Sequence, residues 1–138
     1  MKRLLFSTRP YFKDTALLLF RVGVAMMMVT HGWSKIANFS ERMESFPDPY
    51  GIGVALSLQL TIFAEFFCAI LLGLGFMTRL VVIPLIIAMI TAAFVVHGGD
   101  PFSDRELALM YLLSFIFLLL TGPGLYSMDG QIYKKKRY

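Results

Sequence analysis

The sequence predicts an all-α integral membrane protein: a four-helix bundle running up-down-up-down, with both termini in the cytoplasm. Three observations carry that expectation. The 138 residues are 57% hydrophobic and 16% charged, well outside the usual soluble mix. The apolar residues gather into four blocks, each near the roughly twenty residues that cross a hydrocarbon core of about 30 Å. Lys and Arg are unequally shared between the two sets of connections, as cytoplasmic loops retain them. Within the blocks no wet face is left, so the bilayer takes the place of water.

The spans are expected at residues 15–36, 54–76, 80–97 and 106–121. Lys2, Arg3, Arg9 and Lys13 precede the first, as they would in a signal peptide. The apolar run continues for about twenty residues without a small-x-small cleavage site, and it reads as an uncleaved span. In the first loop, residues 39–46 are amphipathic and suit the membrane surface. Phe46-Pro47-Asp48-Pro49-Tyr50-Gly51 then forbids a continuous helix and favours an ordered turn. Met77-Thr78-Arg79 is a connection so short that the second and third spans must pair antiparallel. Gly75 suits the end of one helix and Thr78 the cap of the next. His97-Gly98-Gly99-Asp100-Pro101 breaks the chain before the fourth span, and Gly122-Pro123-Gly124 ends it. Neither break has room for a soluble domain, so residues 1–138 are expected to form a single transmembrane domain.

Orientation follows from the basic residues. Lys2, Arg3, Arg9, Lys13, Arg79, Lys134, Lys135, Lys136 and Arg137 fall on one side, against Lys35, Arg42 and Arg105 on the other. The richer side is the cytoplasmic one. Glu41, Glu44, Asp48, Asp100, Asp104 and Glu106 make the outer side acidic, and Tyr11, Trp33, Tyr50 and Tyr126 lie near the expected interfaces. The basic residues flank apolar segments, where lipid headgroups are the nearest anions, so a nucleic-acid partner is not expected. The single cysteine, Cys68, excludes a disulfide framework, a Cys-x-x-Cys redox pair and a cysteine metal cluster.

Charges inside the spans need a partner or a wet cavity, because each costs at least about 2.5 to 3.5 kcal/mol at the bilayer centre. Counted from the cytoplasmic ends, Arg21 and Glu65 differ in depth by roughly 8 Å at 1.5 Å per residue. An extended arginine would bridge most of that gap. Three readings follow: a buried pair that fixes helix packing, an Arg21 that snorkels to the headgroups, or a polar pocket for a quinone head, an anion or a proton. His31 and Lys35, four residues apart, share a face, and Arg21 projects within about 80° of both. His97 and Glu106 lie at the outer side. No metal is expected, because two histidines on separate helices make no ligand spacing. His31 suits hydrogen bonding or proton exchange. The nine methionines suit gap filling between helices better than soft-metal transport.

Leu17-Leu18-Leu19-Phe20-Arg21-Val22-Gly23 and His31-Gly32-Trp33-Ser34-Lys35 resemble the opening motif of the DoxX family of small bacterial membrane proteins (DoxX/DoxD-like). Glu65, Gly73-Leu74-Gly75-Phe76-Met77-Thr78-Arg79, and the stretch from Glu106 through Tyr111-Leu112-Leu113 to Thr121-Gly122-Pro123-Gly124, Ser127 and Asp129 continue the resemblance. It runs from about residue 15 to 130. It implies a four-helix bundle in a bacterial inner membrane and a link to redox chemistry, since the family takes its name from a relative in a thiosulfate-to-quinone oxidoreductase.

The leading functional expectation is a membrane subunit of an oxidoreductase system, with redox partner subunits, that binds a quinone or similar apolar redox molecule. Arg21, His31, Lys35, Glu65, His97 and Glu106 are the candidate binding residues. In this reading Arg21 donates to a carbonyl oxygen, Glu65 is its countercharge and His31 exchanges protons. No side chain here carries electrons, so redox chemistry would run through a bound cofactor or a partner. Two rivals stay open: a non-enzymatic scaffold or assembly factor held together by Arg21 and Glu65, and a small transporter, which would need to form a homo-oligomer.

Overall fold

A computed structural model of the chain describes residues 12–135. Lys2, Arg3, Arg9, Tyr11, Lys136 and Arg137, which enter the orientation argument, lie outside them. Among the described residues every regular element is helical. In chain order these are α1 (Lys13–Ala37), α2 (Phe39–Ser45), α3 (Val54–Leu74), α4 (Thr78–Val96), α5 (Phe102–Thr121) and α6 (Met128–Lys135). The amphipathic stretch of the first loop is thus the short helix α2.

Three helices, α1, α3 and α4, are long and apolar enough to cross a membrane. The fourth expected span departs from this pattern for an electrostatic reason. Asp104, Arg105 and Glu106 occupy the start of α5, leaving an apolar stretch over residues 107–121 that rises about 22 Å at 1.5 Å per residue.

Lipid tails are as apolar as leucine, so helices in a bilayer associate through close packing rather than through a hydrophobic drive. All four long helices share one core. Val24, Ala25 and Met28 of α1 meet Cys68, Ala69 and Leu72 of α3, Val82 and Leu85 of α4, and Phe115 and Leu118 of α5. The approach of α1 to α3 is set by small residues. A Cβ on Gly73 would sit 3.3 Å from the Ala25 Cβ, and one on Gly32 would come 2.7 Å from the Phe66 amide nitrogen. At the latter distance a side chain at position 32 would force the facing backbone to shift.

Two helices change their winding part-way along. Residues Phe63–Cys68 of α3 and Thr91–Val96 of α4 are π-helical; the His97 amide donates to the Ala92 carbonyl, five residues back, at 3.0 Å. Pro84 inside α4 has no amide to offer the carbonyl one turn earlier.

Gly75 ends α3 as its sequence position suggests. It takes the left-handed conformation at φ 68° and ψ 38°, and the Gly75 and Phe76 amides donate to the Leu72 and Leu71 carbonyls, a Schellman closure. Thr78 is not the cap of α4, and its buried hydroxyl has no hydrogen-bond partner among the described residues. The cap is the Asp129 carboxylate, which accepts from the Met77 amide at 2.8 Å and the Thr78 amide at 2.9 Å.

Candidate functional site

The six residues singled out in the sequence go to separate places. Arg21 is 1% exposed and does not meet Glu65. Its guanidinium donates to the Pro123 carbonyl at 2.5 Å and the Tyr126 carbonyl at 3.0 Å, gripping the backbone that follows α5. The expected Arg21–Glu65 pair is therefore corrected. Both ends of that grip are reinforced: the Leu125 amide donates to Asp14 at 2.9 Å, and the Asp129 amide donates to the Gly75 carbonyl at 2.9 Å. Arg21 thus belongs to a knot that ties α1, the α3–α4 turn and the chain before α6.

His31 presents its ring edge-on to Tyr111 of α5 at 5.7 Å between centroids, and Tyr111 in turn stacks on Phe115. His97 closes α4, its Nδ1 lying 2.8 Å from the Asp100 carboxylate in the α4–α5 loop. Glu106 is exposed in the first turns of α5. The polar stripe on α1 is thus divided among three partners, and among Arg21, His31 and Lys35 the last forms an ion pair with a carboxylate.

The Lys35 ammonium donates to Glu65 Oε2 at 2.5 Å, with the two side chains 15% and 8% exposed. Gly32 makes the contact possible. Where it crosses, the backbone of α1 rests against Glu65 and Phe66, and Lys35 lies less than one turn further along. Glu65 itself sits in the π-helical segment of α3, a winding that is rare and is found disproportionately at functional sites.

The pair lies at the edge of a cavity of about 440 Å³. Leu60, Phe63 and Ala64 of α3 form one wall, and Pro84, Ile87 and Ala88 of α4 the other. Both π-helical segments contribute to it, so the altered winding shapes the space. The Phe46–Tyr50 turn lies over the top through Phe46, Pro47, Pro49 and Tyr50. Tyr50 fastens this roof to α4 through a 2.8 Å hydrogen bond between its hydroxyl and that of Thr91. Arg21, His31, His97 and Glu106 do not line the cavity; Lys35 and Glu65 do.

Asp48 holds the roof in shape. Its carboxylate accepts from the Ser57 hydroxyl at 2.7 Å, the Gly53 amide at 2.8 Å and the Ile52 amide at 3.1 Å. These bonds, with Ser57 and then Gly53 foremost, hold the Asp48 carboxyl below the usual carboxylate range. Sequence reasoning found the turn but missed this anchor and the Tyr50–Thr91 tie. The available signal was the Asp between two prolines just ahead of a helix start, a placement that favours side chain to backbone bonding.

Helices that satisfy the spanning requirement, a shared apolar core and an ion pair kept at the edge of an apolar cavity define a multi-pass membrane protein with a candidate small-molecule site. The DoxX family model matches residues 16–98, a stretch that contains every residue lining the cavity. The chain belongs to the DoxX family, and it is a multi-pass inner-membrane protein in contact with the lipid bilayer. An uncharacterized protein of Haemophilus influenzae is 32% identical over 134 residues, covering 92% of this chain and 95% of that one. The inner membrane protein YqjF of Escherichia coli is 27% identical over 129 residues, covering 89% and 96%. No solved structure matches.

Proposed function

We propose that this protein is a membrane subunit of an oxidoreductase system that binds a quinone or similar apolar redox molecule in the cavity beside Lys35 and Glu65. The observation that carries the reading is the ion pair itself. A largely buried lysine and carboxylate are costly unless each satisfies the other, and here they stand beside a space of about 440 Å³. An ammonium has three donors and a carboxylate several lone pairs, so the pair retains hydrogen-bonding capacity beyond its mutual contact. A quinone carbonyl would accept from Lys35, and a quinol hydroxyl would donate to Glu65. The apolar walls would hold the ring and the start of the tail.

Arg21, His31, His97 and Glu106 drop out of the binding role in this reading, because their partners lie elsewhere. Four crossings, a four-helix bundle forming one domain over residues 1–138 and cytoplasmic termini are part of the same proposal. The excess of basic residues on the terminal side supports the orientation, and the core shared by α1, α3, α4 and α5 supports the bundle.

Titrating the purified chain in lipid nanodiscs with decylubiquinone, and comparing Lys35→Met and Glu65→Gln, tests the proposal. Saturable binding that both substitutions weaken supports it. Absence of binding, together with absence of quinone reduction in membranes that hold its redox partners, would remove the quinone role. The scaffold reading would then stand on the Arg21 knot, whose contacts are wholly within the protein.

A further inference from the structure

We infer that the cavity beside Lys35 and Glu65 is loaded sideways from the hydrocarbon phase, through the gap between α3 and α4, and selects molecules whose head carries no net charge. The inference rests on reading the cavity as a binding site and adds the route and the electrostatic class of its ligand.

The route follows from what surrounds the cavity. Toward the outer face it is roofed by the turn that Asp48 anchors and Tyr50 ties to Thr91. Toward the helices its walls come from α3 and α4, and α5 contributes no lining residue. On the flank between those two helices, Leu60, Phe63 and Ile87 line the cavity and are 51%, 51% and 56% exposed. All three lie within helices that meet the spanning requirement, so their exposed surface faces acyl chains. A ligand dissolved in lipid meets this flank directly, whereas a water-borne one meets the roof.

The head follows from charge. Lys35 and Glu65 together sum to zero at 2.5 Å separation. An anion drawn to the ammonium would be brought beside the carboxylate, leaving one negative charge without compensation in a mostly apolar cavity. A cation at Glu65 would meet the converse penalty. A neutral head bearing hydroxyl or carbonyl oxygens satisfies the remaining hydrogen-bonding capacity without unbalancing the pair. The volume suits a single ring or a short chain and is too small for a whole phospholipid.

Three probes with the same ten-carbon tail separate the elements of this inference: decanol, decylubiquinone and decanoate, titrated into the full chain in phosphatidylcholine vesicles and corrected for partitioning into lipid. Decanol is expected to bind about tenfold or more tighter than decanoate, and Ala88→Trp, which fills the cavity from α4, to weaken decanol by a similar factor. For the route, Phe63→Trp is placed in a Trp33→Phe background, which removes the single native tryptophan. Bromine-labelled acyl chains are expected to quench its fluorescence, and acrylamide to leave it unchanged. Decanol binding without decylubiquinone binding would leave the inference standing and remove the quinone reading. Decanoate binding as tightly as decanol would overturn the neutral head. Acrylamide quenching without bromolipid quenching would overturn the lateral route, and failure of all three probes to bind would overturn the inference together with the site.

Discussion

Gly32 and Phe66 touch through their backbones: a Cβ at position 32 would stand 2.7 Å from the Phe66 amide nitrogen and 2.8 Å from its Cβ. This contact sets the level of α1 against α3 and, through it, the pairing of Lys35 with Glu65. Gly32→Ala is expected to force the helices apart and to destabilise the fold by about 1 to 3 kcal/mol, the usual range for overpacking. It should also weaken ligand binding, although residue 32 does not line the cavity. Denaturation in mixed detergent micelles reads the first effect and the decanol titration the second; an Ala variant with both unchanged would refute the account of the crossing.

Removing one member of the Lys35–Glu65 pair leaves the other charged and uncompensated. Lys35→Met or Glu65→Gln alone is expected to cost about 3 to 5 kcal/mol, and the two together less than the sum of the singles. A double-mutant cycle in the same micelle assay gives the coupling. Additive losses would mean that the two side chains act independently.

Arg21 belongs to the other end of the molecule. Arg21→Ala is expected to destabilise the protein by about 1 to 3 kcal/mol, because the guanidinium satisfies two part-buried carbonyls, while leaving decanol affinity largely unchanged. Exchanging Arg21 and Glu65 should abolish both the knot and the pair, since neither residue lies near the other's partners. Proteolytic susceptibility of the chain after residue 121 measures release of the knot.

The roof should respond to acid. The Asp48 carboxyl is held below its usual range, chiefly by the Ser57 hydroxyl and the Gly53 amide. A group with a depressed folded-state pKa contributes stability that is present above its unfolded pKa, near 3.9, and is lost as pH falls through the folded value. The turn over residues 46–53 is therefore expected to stay ordered at neutral pH and to loosen only below the ordinary carboxylate range. Hydrogen exchange at the Gly53 amide follows this directly, and Asp48→Asn should remove its acid dependence.

Much of the architecture was legible from residue types. Hydropathy located α1, α3 and α4, and Gly75 and Gly122 marked helix ends that the backbone confirms. The ion pairing was not legible, and the reason is geometric. Counting depth from the cytoplasmic ends assumes that α1 and α3 begin level, which placed Arg21 near Glu65. The Arg21 guanidinium instead lies beside Gly75, ten residues along the chain from Glu65 and about 15 Å away at helical rise. The crossing at Gly32 brings Lys35 to the carboxylate. Helix stagger depends on which small residues nest together, and a single sequence offers many glycines and alanines as candidates. Arginine bonded to backbone carbonyls is equally silent, since every residue has a carbonyl.

The wide winding of α3 and α4 beside the cavity has a consequence for how its walls can move. A π-helical turn holds one residue more than an α-helical one over the same hydrogen-bonded span. Relaxing one to the other turns everything on one side by about 100° relative to the other, without leaving the helical state. Glu65 lies inside such a segment, and Thr91, which carries the tie to the roof, begins the other. The carboxylate and the latch are therefore mounted on stretches whose winding can be exchanged for the α form with a change of register while the backbone amides stay bonded.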